Sequence, residues 1–290
     1  MKPSRSLFVD VRGLRYHVRA WGDVAAPKLF LLHGWMDVSA SFQFLVDAFA
    51  REWHVLAPDW RGFGLSQVPQ DGYWFPDYVA DLDALAQALA PDERIDVIGH
   101  SLGGNVAMLW AGARPEQASH VVSLDAFGIP GEDADRAPGK LRKWLDALRD
   151  PPSFAPYADL AAVADRLQKN NRRLAREKAE FLAPHWAEEL ADGSARLRAD
   201  PRHKLPFPTT SRLEDVYAIW RCIACPVLWI VADDSNIPRW LSPQGDPREE
   251  IARRLAHVPT GTLEYVSDAG HMLHHDQPQS VARLIESFLP

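Results

Sequence analysis

Short apolar segments without polar alternation recur along the chain and predict the strands of a mostly parallel sheet, because strands buried on both faces read this way. They are residues 29–32, 55–57, 95–98, 121–124, 227–231 and 263–266. Segments with helical spacing lie between them, at residues 42–49, 78–89, 106–113, 248–255 and 281–288. Since consecutive parallel strands need crossover connections, this alternation predicts an α/β fold whose sheet is flanked by helices.

Two parts of the chain depart from this alternation. Residues 7–11 and 14–19 flank a short Arg-Gly turn and predict an antiparallel hairpin at one edge of the sheet. Residues 128–224 contain amphipathic runs but no convincing strand, and prolines cluster where this interval begins and ends. We therefore predict a core made of residues 1–127 and 225–290, with a helical cap inserted at residues 128–224.

The composition suits one large globular unit with an insertion, since 47% of the 290 residues are apolar. A net charge of -7 disfavours a nucleic-acid partner, which would need clustered Lys and Arg. The sequence shows no signal peptide and no membrane-spanning apolar run, so we expect a cytoplasmic location and no membrane span. The two cysteines, Cys222 and Cys225, make a poor disulfide or zinc framework.

The sequence Gly99-His100-Ser101-Leu102-Gly103 carries the strongest chemical signal. It follows the predicted strand 95–98 and precedes a predicted helix, which is the context that a G-x-S-x-G nucleophile elbow requires. Such a turn holds the serine in a strained conformation, and a Cβ at either outer glycine would collide with neighbouring chain. Ser101 is therefore the candidate nucleophile.

Two further motifs accompany the elbow. His33-Gly34-Trp35 ends the strand 29–32, and the segment 58–66, which reads PDWRGFGLS, lies between the strand 55–57 and the helix 78–89. Together with the elbow, these motifs resemble the α/β-hydrolase superfamily over nearly all of the chain outside the insertion. In that family the segment 58–66 shapes a loop near the site, so we interpret Asp59 and Arg61 as a pair that braces this loop.

The resemblance implies where the remaining parts of the site lie. In this fold the oxyanion that forms during attack is held by two backbone amides, here those of Trp35 and Leu102. The general base follows the last strand, where Asp268-Ala269-Gly270-His271 matches the family position, so His271 is the expected base. We expect His274, with His33 and His100, to border the substrate pocket, and we favour no metal site here.

The acid of the triad is the least determined residue. Family members carry it after the strand 227–231, and spacing back from Pro238 selects Asp234, with Asp233 as a neighbour. Asp125, which ends the strand 121–124, is the alternative, because some hydrolases of this fold place the acid there. The insertion resembles the cap of the serine hydrolase-like branch at residues 166–171 and 200–202, and that branch carries an Asp-Ser pair after this strand, which favours Asp234.

A serine at the elbow indicates acyl transfer to water without a cofactor. The expected substrate is an ester or thioester of a small to medium acyl group, bound in an apolar, partly enclosed pocket under the cap. A carbon-carbon bond hydrolase and a cofactor-free perhydrolase would use the same triad, and a catalytically silent binding protein is the alternative from another class. An acidic acyl carrier would be expected to bind a basic cluster, and one is formed here by Arg172, Arg173 and Arg176. We instead interpret these arginines as a solvated helix face.

Overall fold

The computed structural model describes residues 1–290. It contains ten strands, and eight of them form one central sheet. The strands are β1 (Ser4–Val11), β2 (Leu14–Trp21), β3 (Lys28–Leu32), β4 (His54–Pro58), β5 (Ile95–His100), β6 (Ala118–Leu124), β7 (Ala187–Glu189), β8 (Ala195–Leu197), β9 (Val227–Ala232) and β10 (Gly261–Val266). The spatial order of the sheet is β1-β2-β4-β3-β5-β6-β9-β10. In this sheet β2 pairs antiparallel with β1 and β4, and the other neighbours are parallel, whereas β7 and β8 form a separate antiparallel hairpin.

The helices cover both faces of this sheet, as an α/β architecture requires. They are α1 (Gln43–Ala48), α2 (Phe75–Leu89), α3 (Leu102–Ala113), α4 (Ala137–Arg149), α5 (Leu160–Asn170), α6 (Arg176–Trp186), α7 (Leu213–Trp220), α8 (Ile237–Leu241), α9 (Pro247–Leu255), α10 (Leu273–Asp276) and α11 (Pro278–Phe288). Helices α2, α3, α7 and α9 pack on one face of the sheet, and α1 and α11 pack on the other. No helix combines the length and the hydrophobicity that spanning a membrane demands.

The predicted strands and helices of the sheet are all present, and their bounds differ by a few residues. Helix α3 begins at Leu102 instead of residue 106. Gly103 and Gly104 contribute no apolar side chain to the helical pattern, although a Cβ at either position would lie less than 3 Å from neighbouring atoms. The apolar pattern that predicts this helix therefore begins only after the two glycines, where the helix packs closely against the sheet.

The insertion consists of parts that pack differently. Helices α5 and α6 and the hairpin β7-β8 share an apolar cluster with Val38, Ala40 and Phe44 of the core. This hairpin was not predicted, because strands of three residues leave too short a pattern to detect. Helix α4 buries none of its residues, whereas α7 contributes Tyr217 and Trp220 to the main core.

Candidate active site

The nucleophile elbow joins β5 to α3 in the tight geometry that its sequence predicts. Ser101 has φ 52° and ψ -115°, a region that side-chain-bearing residues rarely adopt. A Cβ on Gly99 would lie 2.3 Å from the backbone of Gly103, and a Cβ on Gly103 would lie 2.1 Å from the carbonyl oxygen of Leu32. The two glycines therefore allow the turn to close, and Ser101 remains half-buried and reachable at its apex.

His271 lies in the loop between β10 and α10 and faces Ser101. Its Nε2 is 3.0 Å from Ser101 Oγ, and its Nδ1 is 2.7 Å from Asp125 Oδ2. A carboxylate at Nδ1 keeps the proton on that nitrogen and leaves the lone pair of Nε2 facing the hydroxyl group. The three side chains thus form one hydrogen-bonded chain from carboxylate to imidazole to hydroxyl.

Asp125 follows the last residue of β6 and has a fully buried side chain. Its backbone has φ 50°, and its N–H donates to the carbonyl oxygen of Ile230 at 2.8 Å. Besides His271, the hydroxyl of Ser235 donates to Oδ2, and the amide of Ala232 approaches Oδ1 at 3.3 Å. These contacts hold the carboxylate in place and provide the hydrogen bonds that it lacks because it is buried away from water.

Asp234 does not contact His271, which corrects the expectation from spacing. Its carboxylate instead forms an ion pair with Arg173 of the insertion, and its side chain is 54% exposed. Asp233 is exposed as well. The turn after β9 therefore points both carboxylates outward, and the alternative residue Asp125 occupies the position beside the imidazole.

The loop after β3 lies against the elbow. A Cβ added to Gly34 would come within 3.2 Å of Ser101 Cβ and 3.0 Å of His100 Nδ1, so the backbone of this loop passes close to the nucleophile. Trp35 follows with a half-exposed side chain, and Met36 has φ 57°. The expected oxyanion donors, the amides of Trp35 and Leu102, thus belong to two segments that meet beside Ser101.

His33, His100 and His274, expected at the border of a substrate pocket, are almost fully buried beneath the site and offer little surface to a substrate. His33 accepts a hydrogen bond from the amide of Trp60 at 2.8 Å, and burial lowers its pKa to about 4. His100 Nε2–H donates to the carbonyl oxygen of His271 at 2.8 Å, which ties the elbow to the loop that carries this imidazole. His33 and His100 thus hold neighbouring chain segments in place, whereas His274 packs against Phe42 and the ring of His100.

Asp59 and Arg61 brace the loop 58–66 separately and not as a pair. Asp59 pairs with His17 at 2.7 Å and accepts from the amides of Ser39 and Leu65. Burial alone would raise the pKa of Asp59, but the hydrogen bond and charge of His17 lower it below its usual range. Arg61 instead reaches Asp81 on α2, at 2.5 Å from its Nε.

Two cavities differ in size and polarity. A cavity of about 10 Å³, room for about one water molecule, is lined mostly by apolar side chains. Its lining residues are Met36, Asp37, Val38, Phe63, Trp186, Leu197, Arg198 and Ala199. A larger, more polar groove of about 520 Å³ lies at the carboxyl end of β9, on the side of Ser235. Of these two spaces, the apolar one is much the smaller.

The fold and the hydrogen-bonded serine, histidine and aspartate define a class of protein. A sequence model of the alpha/beta hydrolase fold family matches residues 27–278, and the chain belongs to this family. Within the family it falls in the serine hydrolase-like branch. It is 29% identical to a serine hydrolase-like protein of Danio rerio, over 93% of this chain and 84% of that protein, and 27% identical to serine hydrolase-like protein 2 of Homo sapiens, over 93% and 89%.

The chain is also similar to a solved structure over its whole fold. The crystal structure of a hypothetical protein from Pseudomonas aeruginosa superposes with a TM-score of 0.86 at 27% identity, covering 98% of each chain. The insertion is therefore included in the shared architecture. The chain is a hydrolase of the α/β fold, similar over most of its length to serine hydrolase-like proteins.

Sequence reasoning missed two residues of the site. Ser235, the second member of the Asp-Ser pair after β9, donates to Asp125 and so completes the surroundings of that carboxylate. Asp37 is buried beside the elbow, and burial raises its pKa to about 7. The Asp-Ser pair was a usable signal for Ser235, whereas nothing in the spacing of Asp37 relates it to residues 60 or more positions away.

Proposed function

We propose that the protein is a serine hydrolase that cleaves an ester or thioester of a small to medium acyl group through an acyl-enzyme. The observation that carries this proposal is the hydrogen-bonded chain from Asp125 through His271 to Ser101, with distances of 2.7 and 3.0 Å. In this proposal Ser101 is the nucleophile, His271 the general base and Asp125 the acid.

The first half of the reaction acylates Ser101. His271 Nε2 accepts the hydroxyl proton while Ser101 Oγ bonds to the carbonyl carbon of the substrate, and the carbonyl oxygen becomes an oxyanion. The amides of Trp35 and Leu102 donate to that oxyanion. The intermediate then breaks its bond to the alcohol or thiol, which leaves with the proton from His271. Asp125 stabilises the imidazolium and keeps the ring oriented throughout.

The second half returns the enzyme to its starting state. Water approaches the acyl carbon from the half-exposed side of Ser101, and His271 Nε2 takes one of its protons as the new C–O bond forms. Collapse of the second intermediate releases the carboxylic acid and returns the proton to Ser101 Oγ. The half-exposed imidazole, 33% accessible, permits this water to reach its position without a channel through the core.

The length of the acyl group is a separate part of the proposal. Phe63, Trp186 and Leu197 line a small cavity of about 10 Å³ beside the loop after β3. Burial of each methylene of the substrate would contribute about 0.8 kcal/mol. A series of p-nitrophenyl esters from acetate to medium chains therefore measures how much of the acyl group is buried: kcat/KM should rise with each methylene that leaves water, and a steady fall from acetate would contradict the medium-chain part of the range.

Replacement of the nucleophile tests the proposal. Ser101→Ala should remove hydrolysis of p-nitrophenyl acetate and labelling by a fluorophosphonate, because no other hydroxyl is hydrogen-bonded to His271. Intact-protein mass spectrometry measures the labelling, and circular dichroism checks the fold. Ser287→Ala, an exposed serine on α11, is the matched control and should keep both properties. Stoichiometric labelling of the Ser101→Ala variant would show that another residue is the nucleophile.

A further inference from the structure

A cluster of buried polar atoms without hydrogen-bond partners lies beneath the elbow. Its members are Asp37 Oδ2, His100 Nδ1 and both ring nitrogens of His274. The three side chains come from the loop after β3, the end of β5 and α10, and one ligand atom from each lies within 4.8 Å of the others. All three residues are at least 96% buried. Partnerless buried groups are uncommon in native proteins and call for an explanation.

The hydrogen bonds around the cluster determine which way its lone pairs face. His100 Nε2–H donates to the carbonyl oxygen of His271, so His100 Nδ1 is unprotonated in the neutral ring and presents its lone pair to the cluster. Asp37 Oδ1 accepts from the amide of Val38, and Oδ2 is left facing inward. The neutral ring of His274 carries one N–H, but neither of its nitrogens has a hydrogen-bond partner, so the lone pairs of His100 Nδ1 and Asp37 Oδ2 stay unpaired in a dry site.

The chemistry of the donor set favours a particular class of cation. Two imidazole nitrogens and one carboxylate oxygen are ligands of Zn²⁺ and of the neighbouring divalent transition metals. Calcium and magnesium prefer sites made of oxygens, and this cluster offers only one carboxylate. Structural zinc sites have four protein ligands, whereas this cluster offers three, so water would complete the coordination.

We propose that Asp37, His100 and His274 form a binding site for a divalent transition-metal ion of the zinc class. Zn–N bonds of about 2.1 Å place tetrahedral ligand atoms about 3.4 Å apart. The cluster atoms, which span up to 4.8 Å, must therefore approach one another on binding. That rearrangement costs free energy, so the site suits reversible binding better than permanent retention of a metal. Asp37 also lines the small cavity of about 10 Å³ beside the loop after β3.

The bound ion would also slow the reaction, an effect that rests on the proposed function. The rings of His100 and His271 are 4.7 Å apart between centroids. His100 Nε2–H also holds the carbonyl oxygen of His271 at 2.8 Å, so movement of His100 toward the ion would shift the loop that carries the imidazole away from Ser101. The metal is therefore expected to lower kcat with little change in KM.

Direct binding measurements on the full chain test the site. Titration with Co²⁺, followed by visible d–d absorption and by equilibrium dialysis with metal analysis, should give one ion per chain. Asp37→Asn and His274→Phe, which preserve side-chain shape, should each weaken binding at least about tenfold, since even outer-shell changes cost that much. Unchanged affinity in both variants, or absence of saturable binding to the unaltered protein, would overturn the site.

Two further variants separate this cluster from competing ligands. Cys222→Ser removes the exposed thiol, and His271→Ala removes the half-exposed imidazole; both should retain the Co²⁺ site. Loss of binding in either variant would assign the metal elsewhere and contradict the proposal. Zn²⁺ should then inhibit p-nitrophenyl acetate hydrolysis by the unaltered protein, and Asp37→Asn should raise the inhibitory concentration at least about tenfold. Binding without any measurable hydrolysis would refute the proposed function while leaving the site intact.

Discussion

The neighbouring strands β6 and β9 run parallel, end at the same edge of the sheet and are each followed by an aspartate. After β6, the side chain of Asp125 is fully buried and contacts His271 and Ser235. After β9, the side chain of Asp234 is 54% exposed and pairs with Arg173. Two carboxylates in similar topological positions thus have different environments, because the fold buries only one of them beside the imidazole.

Backbone conformation separates the two positions as clearly as exposure does. Asp125 has φ 50°, as Ser101 has φ 52°, and both residues end a strand at the site. Non-glycine residues in this region are strained, and such strain concentrates where a structure must aim a side chain. Asp234 is not among the residues with positive φ. The strand end that carries the strain is therefore the one that turns its carboxylate inward.

The largest expected effect comes from neutralising the inner carboxylate. Asp125→Asn should lower kcat/KM by about 10³- to 10⁴-fold, because an amide can hold His271 in the wrong tautomer and cannot stabilise an imidazolium. Steady-state kinetics with p-nitrophenyl acetate measure the loss, and circular dichroism checks that the fold is retained.

The matched change at the outer carboxylate sharpens the comparison. Asp234→Asn should alter kcat/KM by less than about threefold, since an exposed ion pair contributes roughly 1 kcal/mol or less. If Asp234→Asn were the more damaging substitution, the proton relay would run through the turn after β9, and the assignment of Asp125 would be wrong.

The structure brings together the residues predicted as nucleophile and base, but not the residue predicted as acid. Ser101 and His271 lie in local motifs whose glycines and neighbouring strands restrict the chain to one geometry. The acid has no such local requirement, since a carboxylate is able to reach the imidazole from either strand end. Spacing from Pro238 selected the turn after β9, whose aspartates do not contact His271; this turn meets the site only through the hydrogen bond from Ser235 to Asp125.

The fold shows a similar division. Strand and helix alternation specified the sheet, because each buried strand and amphipathic helix carries its own period. The short hairpin β7-β8 has strands of only three residues, too few to leave a period in the local pattern. The buried cluster of Asp37, His100 and His274 was equally hidden, since its members come from three distant segments.

Removing the hydroxyl of Ser235 should have an intermediate effect. Its hydrogen bond to Asp125 Oδ2 helps to orient the carboxylate, and a hydrogen bond to a charged group contributes about 1.5–3 kcal/mol. Without this hydrogen bond the carboxylate of Asp125 would be held less firmly beside the imidazolium and would stabilise it less. Ser235→Ala should therefore lower kcat about tenfold or more and shift the pH profile of kcat. Ser235→Thr should restore most of the rate. An unchanged pH profile would mean that this hydroxyl has only a structural role.

The smallest expected effect concerns the ion pair that holds the outer carboxylate. The side chains of Arg173 and Asp234 are 40% and 54% exposed, and Arg173 also lies 3.7 Å from Asp268. Exposed pairs are screened by water and salt, so the coupling between Arg173 and Asp234 should be about 1 kcal/mol or less and should decrease at high ionic strength. Urea unfolding of Arg173→Gln, Asp234→Asn and the double variant measures it as a double-mutant cycle. A coupling above about 3 kcal/mol, of the size found for buried pairs, would show that the turn after β9 anchors the insertion to the core. In that case the end of β9 would hold the insertion, whereas the end of β6 holds the imidazole of His271. The difference in exposure between the two carboxylates would then not be enough to explain why only Asp125 faces the imidazole.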